Sequence, residues 1–124
     1  MLEAGELTER IIYHAIEVHR ATGPGLLESV YELCLCHELH DAGVPFERQA
    51  VVPVVYKGRR ISQGFRADIA VARAVIVEVK AVAAILPAHE AQVQTYLRMS
   101  GLRIGLIMNF AATRLVDGLR RFIV

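Results

Sequence analysis

Phe65–Lys80 reads FRADIAVARAVIVEVK. One apolar run holds Asp68, and a second, Ala74–Val82, is broken only by Glu78 and Lys80. Burying a charge in a strand costs several kcal/mol unless a partner or a metal compensates it. Three charges in two otherwise Ala/Val/Ile strands therefore need a physical reason. Glu78 and Lys80 are two apart, so a strand points both to one face. If Ala72–Ala74 form a three-residue loop centred on Arg73, Asp68 lies opposite Glu78 and all three share that face. An even-numbered loop would set Asp68 against Val79 and disperse the cluster, so the clustering depends on that register.

Two carboxylates on one face suit a hard cation such as Mg²⁺, bound through oxygen with water completing the shell. Such a cation polarises a phosphoryl oxygen and acidifies water, and a neighbouring ammonium orients that water and balances charge on the phosphate. This is the chemistry of phosphodiester hydrolysis. The competing interpretation is an ion pair of Lys80 with Asp68 or Glu78 that merely fixes the hairpin. On the hairpin alone both stand.

The whole chain sets limits. Its 124 residues suit a single domain, 1–124, with a real core. A hydrophobic fraction of 54% excludes a disordered chain. No apolar run reaches the ~18 residues of a membrane span, and no basic segment precedes an apolar core at the N-terminus, so neither membrane insertion nor secretion is expected. Cys34 and Cys36 sit two apart in a helical pattern and are expected as reduced thiols of a cytoplasmic protein. Two cysteines and five scattered histidines give no zinc pattern. With a net charge of only +1, nucleic-acid binding must rest on a local basic patch.

Around the hairpin the elements follow from periodicity. Leu7–Ala21 is predicted helical, with Leu7, Ile11, Ala15 and Val18 on its stripe, Thr8 at its start and Thr22-Gly23-Pro24 as a stop. His14 and His19 are expected at its edge as ordinary polar residues. Leu26–Ala42 is a second helix ended by Gly43, with Glu28, Tyr31, Leu35, Leu39 and Ala42 on its inner stripe. Glu28 there is either favoured by the helix dipole or a deliberate inward acid. Leu33 and Cys34 read as core or flanking positions. Phe46–Tyr56 is a strand in which Pro53 demands an edge or a bulge. Lys57-Gly58 is a turn, and Arg59–Phe65 starts the next strand, with Gly64 marking a bulge near the site. The Asp68 and Glu78/Lys80 strands follow, three or four strands in all before the next helix. Pro87 breaks the chain before helix Ala88–Ser100, where Gln92 and Tyr96 are four apart and neighbours. Leu102–Asn109 suits a central strand, and Leu115–Val124 a turn at Asp117-Gly118 with a last strand. The order predicts an α/β fold with a mixed sheet.

Gly25-Leu26-Leu27-Glu28-Ser29-Val30-Tyr31 is a GxxExxY stretch, followed by Asp68, by Glu78-Val79-Lys80 and by Gln92-x-x-x-Tyr96. In these residues, and over Leu7–Val124, the chain resembles the GxxExxY proteins of the PD-(D/E)XK nuclease superfamily. The resemblance implies a restriction-endonuclease-like core, a mixed sheet flanked by helices. It implies Asp68 and Glu78 as metal-binding acids, Lys80 as the catalytic lysine, and Glu28 as a further catalytic acid contacting metal or water. Gln92 and Tyr96 match a substrate-binding element of some members. Ala67 departs from the proline that often precedes the strand acid, a substitution the superfamily tolerates. The implied function is Mg²⁺- or Mn²⁺-dependent hydrolysis of DNA. The alternative is an inactive module of the same fold that binds nucleic acid or a protein partner. His89, Arg66 and Arg98 read as solvated residues or phosphate contacts. Without metal, one of the crowded acids should hold a proton above its usual pKa of about 4.

One active site per small domain cuts one strand, so cleavage of both strands calls for a homodimer, and the apolar content leaves surface for it to cover. Sedimentation over a wide concentration range is expected to show self-association. A strict monomer would count against it and point to single-stranded or nicking substrates.

Overall fold

The computed structural model describes residues 3–124. Two helices come first, α1 (Ala4–Thr22) and α2 (Glu28–Asp41). Then follow β1 (Phe46–Tyr56), β2 (Arg59–Val71), β3 (Val75–Lys80), α3 (Pro87–Ser100), β4 (Ile104–Asn109), a 3-10 turn at Leu115–Gly118 and β5 (Leu119–Ile123). The strands form one sheet in the order β1-β2-β3-β4-β5. Tight turns leave β1, β2 and β3 antiparallel, whereas α3 carries the chain back so that β3 and β4 run parallel, and β5 closes antiparallel on β4. This is the expected α/β fold, a mixed sheet flanked by helices.

The four apolar residues expected to anchor α1, Leu7, Ile11, Ala15 and Val18, are all buried. With Tyr31, Leu35 and Leu39 of α2 they pack on Val75, Val77 and Val79 of β3 and on Leu106 and Met108 of β4. The other sheet face, with Ile76 and Ile107, lies under Val93 and Leu97 of α3. All six β4 residues are buried, which explains their uninterrupted apolar run.

Boundaries differ from the periodic pattern in informative ways. Helix α1 already begins at Ala4, and Thr8 is an interior residue whose hydroxyl donates to the Ala4 carbonyl at 2.7 Å. Helix α2 begins at Glu28, so Leu26 and Leu27 belong to the preceding loop. Glu28 is thus exposed at the helix start rather than set in the apolar stripe, and Ala42 and Leu33 are exposed too. Cys36, not Cys34, is the buried thiol, and both are unbonded. His19 is no edge residue: it is buried, with Nε2 2.8 Å from the Ala112 carbonyl. His89 Nδ1 accepts the Leu86 N–H and so caps α3.

Pro53 lies on an edge strand and also at a bulge, where the β1–β2 register shifts between Val52 and Val54. Gly64 faces that bulge, four residues before Asp68. A Cβ there would stand 2.7 Å from Val54 Cγ1 and 2.9 Å from the Val52 carbonyl. The β2–β3 hairpin has the odd loop, Ala72–Ala74, with Val71 paired to Val75 and Ile69 to Val77.

Close packing of α3 on β4 rests on Gly105, where a Cβ would come 2.6 Å from Val93 Cγ1 and 3.1 Å from Leu97 Cδ1. Gly105→Ala is expected to destabilise the fold by about 1–3 kcal/mol through overpacking. Urea titration checks this, and the cost should shrink in a Val93→Ala background, where the nearest clashing methyl is gone.

Candidate active site

The site begins where β2 turns over. Ala67 and Ile69 are both buried, yet Ala67 packs in the α3 core and Ile69 in the α1–α2 core. Residues two apart in a regular strand share a face, so the strand rotates at Asp68 between them. On β1 the matching point is Gln49, between the pairs Arg48–Ile69 and Ala50–Ala67, and it holds a left-handed φ of 53°. That conformation is rare and costly for a non-glycine residue. The last β2–β3 ladder pair is Ile69–Val77, and Asp68 and Glu78 are the next residues out. There a side chain replaces the ladder: Asp68 Oδ2 accepts the Val79 N–H at 2.8 Å.

Glu78 lies against Asp68. Burial first, and then the charge and side-chain contact of Asp68, push the Glu78 carboxyl up to about 9, against the opposing pull of Lys80 and the Asp68 backbone. Lys80 follows Glu78 on the same face, half-buried, and among the described residues it forms no salt bridge. Its charge reaches Glu78 through space, without the direct ion pair that a purely structural hairpin would use.

The end of β3 is clamped from several sides. The Phe110 N–H donates to the Lys80 carbonyl at 2.8 Å. Glu28 Oε2 accepts the Ala81 N–H at 2.9 Å. Asn109, buried at the end of β4, accepts the Val82 N–H through Oδ1 at 3.1 Å and donates Nδ2 to the Val82 carbonyl at 2.9 Å. Tyr31 holds the loop that delivers Glu28. Its hydroxyl donates to the Gly23 carbonyl at 2.6 Å and accepts the Leu26 N–H at 3.1 Å, while its ring stacks on Phe110 at 4.5 Å.

A cleft of about 590 Å³ opens beside this point, lined by Leu26, Leu27, Glu28, Glu32, Gln49 and Asp68. Glu32 is buried, accepts Gln49 Nε2 at 2.6 Å and faces Arg48 Nη2 at 3.4 Å. Burial raises its pKa, the Gln49 hydrogen bond opposes this, and the nearby Asp68 charge adds to it. Glu28, Glu32, Asp68 and Glu78 thus gather acid around one end of the sheet. Gln92 and Tyr96 are neighbours, 3.4 Å apart through Nε2 and the hydroxyl. Tyr96 stacks face to face on Phe65 at 3.6 Å, so this pair is tied to β2 three residues before Asp68 and lies outside the lining of the acidic cleft.

A family model described as the PD-(D/E)XK nuclease superfamily matches residues 5–122. The chain belongs to this superfamily. No curated protein and no solved structure matches it significantly. Nucleases of the PD-(D/E)XK superfamily generally use divalent metals. The donor set here fits a hard divalent cation in one respect: two carboxyls in contact present oxygen ligands, and one of them keeps a proton that a cation would displace. It lacks a preformed cage, since among the described residues no group of three His, Cys, Asp or Glu side chains converges enough to hold a metal. Glu28, expected as the third acid, lines the same cleft as Asp68, with Oε2 accepting the Ala81 N–H.

Sequence reasoning passed over Glu32, Gln49 and Asn109. Glu32 follows Glu28 by one helical turn, and that spacing was legible. Gln49 and Asn109 carry no local signal, because their partners lie 17 and 27 residues away.

The raised Glu78 pKa sets a pH dependence. In the folded protein Glu78 keeps its proton to about 9, whereas the unfolded chain releases it near the ordinary 4.5. Below 4.5 both states are protonated, and between 4.5 and 9 the folded state binds more protons. Metal-free stability should therefore fall as pH rises through that window, by at most about 1.4 kcal/mol per pH unit from this group. Melting curves in EDTA from pH 5 to 9 test this: Glu78→Gln should flatten the decline and melt above wild type at the alkaline end.

Proposed function

We propose that the protein is a metal-dependent nuclease that hydrolyses DNA phosphodiester bonds, with Asp68 and Glu78 as the metal-holding acids and Lys80 as the catalytic base-side cation. The observation that carries this is the contact of the Asp68 and Glu78 carboxyls with Lys80 beside them and in no salt bridge. Crowding the two carboxyls forces Glu78 to keep a proton that the unfolded chain would release, which destabilises the metal-free fold above the ordinary carboxyl range, a cost with no structural return in a simple hairpin. Asp68 and Glu78 would hold Mg²⁺ or Mn²⁺, which when bound would supply positive charge to the phosphoryl group and acidify water. Lys80 offers donors for the attacking water or for a phosphoryl oxygen. The Val79 N–H fixes one Asp68 oxygen and leaves the other free. Glu28 steadies the β3 exit through Ala81, and Gln92 with Tyr96 forms a flanking polar pair for substrate.

Residues 1–124 act as one domain in this reading. The two free thiols suit the reducing cytoplasm. No helix among the described residues is long and apolar enough to cross a membrane. Exposed Leu27, Val30 and Leu33, on and beside α2, offer surface for a homodimer.

A second reading is a non-catalytic nuclease-fold module that binds nucleic acid or a protein partner. It is favoured by the absence of a three-ligand group among the described residues and by the engagement of Glu28 with backbone.

Cleavage of supercoiled plasmid and of single-stranded DNA and RNA with Mg²⁺ or Mn²⁺ separates the two. Lys80→Ala should lose about 10²–10³-fold in rate. Millimolar Mg²⁺ or Mn²⁺ should raise the melting temperature of wild type, while Asp68→Asn and Glu78→Gln should melt higher than wild type without metal and respond little to it. No cleavage of any substrate, no metal shift up to roughly 10 mM, and variants melting below wild type would return the acids to a structural role.

A further inference from the structure

We propose that the distal β1–β2 ribbon is a DNA-docking arm, in which Lys57, Arg59, Arg60 and Arg66 engage the phosphates of a B-form duplex flanking its major groove. The proposal rests on the nuclease reading for the identity of the polymer.

The first observation is topological. β3 pairs with β2 only at Ile69, Ala70 and Val71, whereas β1 and β2 stay paired out to Tyr56 and Arg59. The half of β2 before Ala67 therefore has one strand partner, and with β1 it forms a two-stranded ribbon rooted at Asp68. From Arg66 to Arg59 this ribbon spans roughly 23 Å at strand rise. Helix α3 covers one face near Val52, Val54 and Phe65. Beyond that, every residue from Val55 to Gln63 is exposed, Val55, Tyr56 and Ile61 included. A bare ribbon is marginal in water by itself, so an exposed tip of this length asks for a partner. Lys57 and Gly58 turn the chain with φ values of 49° and 78°, the two-residue geometry that keeps the strands close.

The second observation is charge. Between Glu47 and Asp68 the chain has no acid and five bases, Arg48, Lys57, Arg59, Arg60 and Arg66. Arg48 faces Glu32; the other four have no salt-bridge partner among the described residues. These four lift the chain to its net +1, so the remainder is net −3. The acidic cleft by itself repels a polyanion, and attraction must come from elsewhere on the surface. The ribbon supplies it next to the cleft, because Arg66 is two residues from Asp68. Arg66 is also oriented, with Nη1 donating to the Gln49 carbonyl at 3.1 Å. Arg60 of β2 and Arg73 of the β2–β3 loop line one groove of about 620 Å³ beside the ribbon. At the tip the Lys57 ammonium sits 5.4 Å from the Tyr56 ring centre.

The shape selects the form of the duplex. The B-form major groove admits a two-stranded ribbon, whereas the A-form major groove of RNA is too deep and narrow for protein side chains to read.

The test is fluorescence-anisotropy titration of labelled DNA and RNA duplexes in EDTA, across a salt series. Binding is read without divalent metal, so the arm can fail while cleavage stands, and cleavage can fail while the arm stands. Wild type should bind the DNA duplex more tightly than the RNA duplex. The triple variant Lys57→Gln, Arg59→Gln, Arg60→Gln should lose at least about tenfold in DNA affinity near 0.1 M salt, and its slope of log K on log salt should fall by roughly 2.7. All three positions are exposed, so an unchanged melting curve should accompany the loss. A control variant, Arg10→Gln, Arg20→Gln, Arg114→Gln, removes the same charge from exposed positions outside the ribbon and should change affinity less. Equal losses in the two variants, an unchanged slope in the ribbon variant, equal binding of RNA and DNA, or no duplex binding by wild type would each overturn the arm.

Discussion

The hydrogen bond from the Val79 N–H to Asp68 Oδ2 is the constraint on which the site depends. It stands at the point where the β2–β3 ladder stops, after Ile69–Val77. A regular ladder would satisfy that N–H with a backbone carbonyl and leave the Asp68 side chain to solvent. Here β2 rotates out of register, and a buried donor with no backbone partner would cost about 1–3 kcal/mol. Asp68 satisfies it, which holds the carboxylate at the strand crossover against Glu78. The same rotation separates the two cores, so Ala67 and Ile69 face different helices although they are two residues apart.

Around that point the protein keeps charge in opposition. The acids collect at the end of the sheet, where Glu78 holds a proton far above the ordinary carboxyl range because it is buried beside Asp68. Glu32 is buried too, compensated by Gln49 and Arg48. Four bases that form no salt bridge among the described residues sit on the ribbon that leaves the same site, where no acid accompanies them. A near-neutral chain thereby presents a locally acidic cleft and a locally basic arm, which net charge alone conceals. The clamps on the end of β3, through Phe110, Asn109 and Glu28, hold the backbone from the Lys80 carbonyl to Val82 and so limit how far the site can relax.

Much of the fold was legible in the chain. Period and punctuation located three helices and five or six strands, because apolar stripes and Gly or Pro stops act over a few residues. The parity of Asp68, Glu78 and Lys80 followed from alternation along two short strands and an odd loop between them. The superfamily was legible for the same reason: its motif lies in contiguous strands and in one helix start. Less legible were the ends of α1 and α2, where the first helical residue depends on what the loop before it must do. Glu28 looked like a member of the apolar stripe, but Tyr31 draws Leu26 and Leu27 into the loop and leaves Glu28 at the helix start, facing Ala81.

The sequence by itself determined the order of elements and the apolar faces, and it left the parity that brings Asp68 opposite Glu78 conditional on an odd loop that the structure then shows. These depend on spacing within a few residues of the chain. Tertiary structure alone decided that β2 turns over at Asp68, that Gln49 takes a left-handed conformation against it, and that Glu32 and Asn109 support the site. It also decided that β3 stops pairing with β2 at Ile69, which frees the ribbon and exposes its bases. Each of these rests on contacts between segments distant in the chain, where local propensity has no hold and only packing and the need to satisfy buried polar groups choose the outcome.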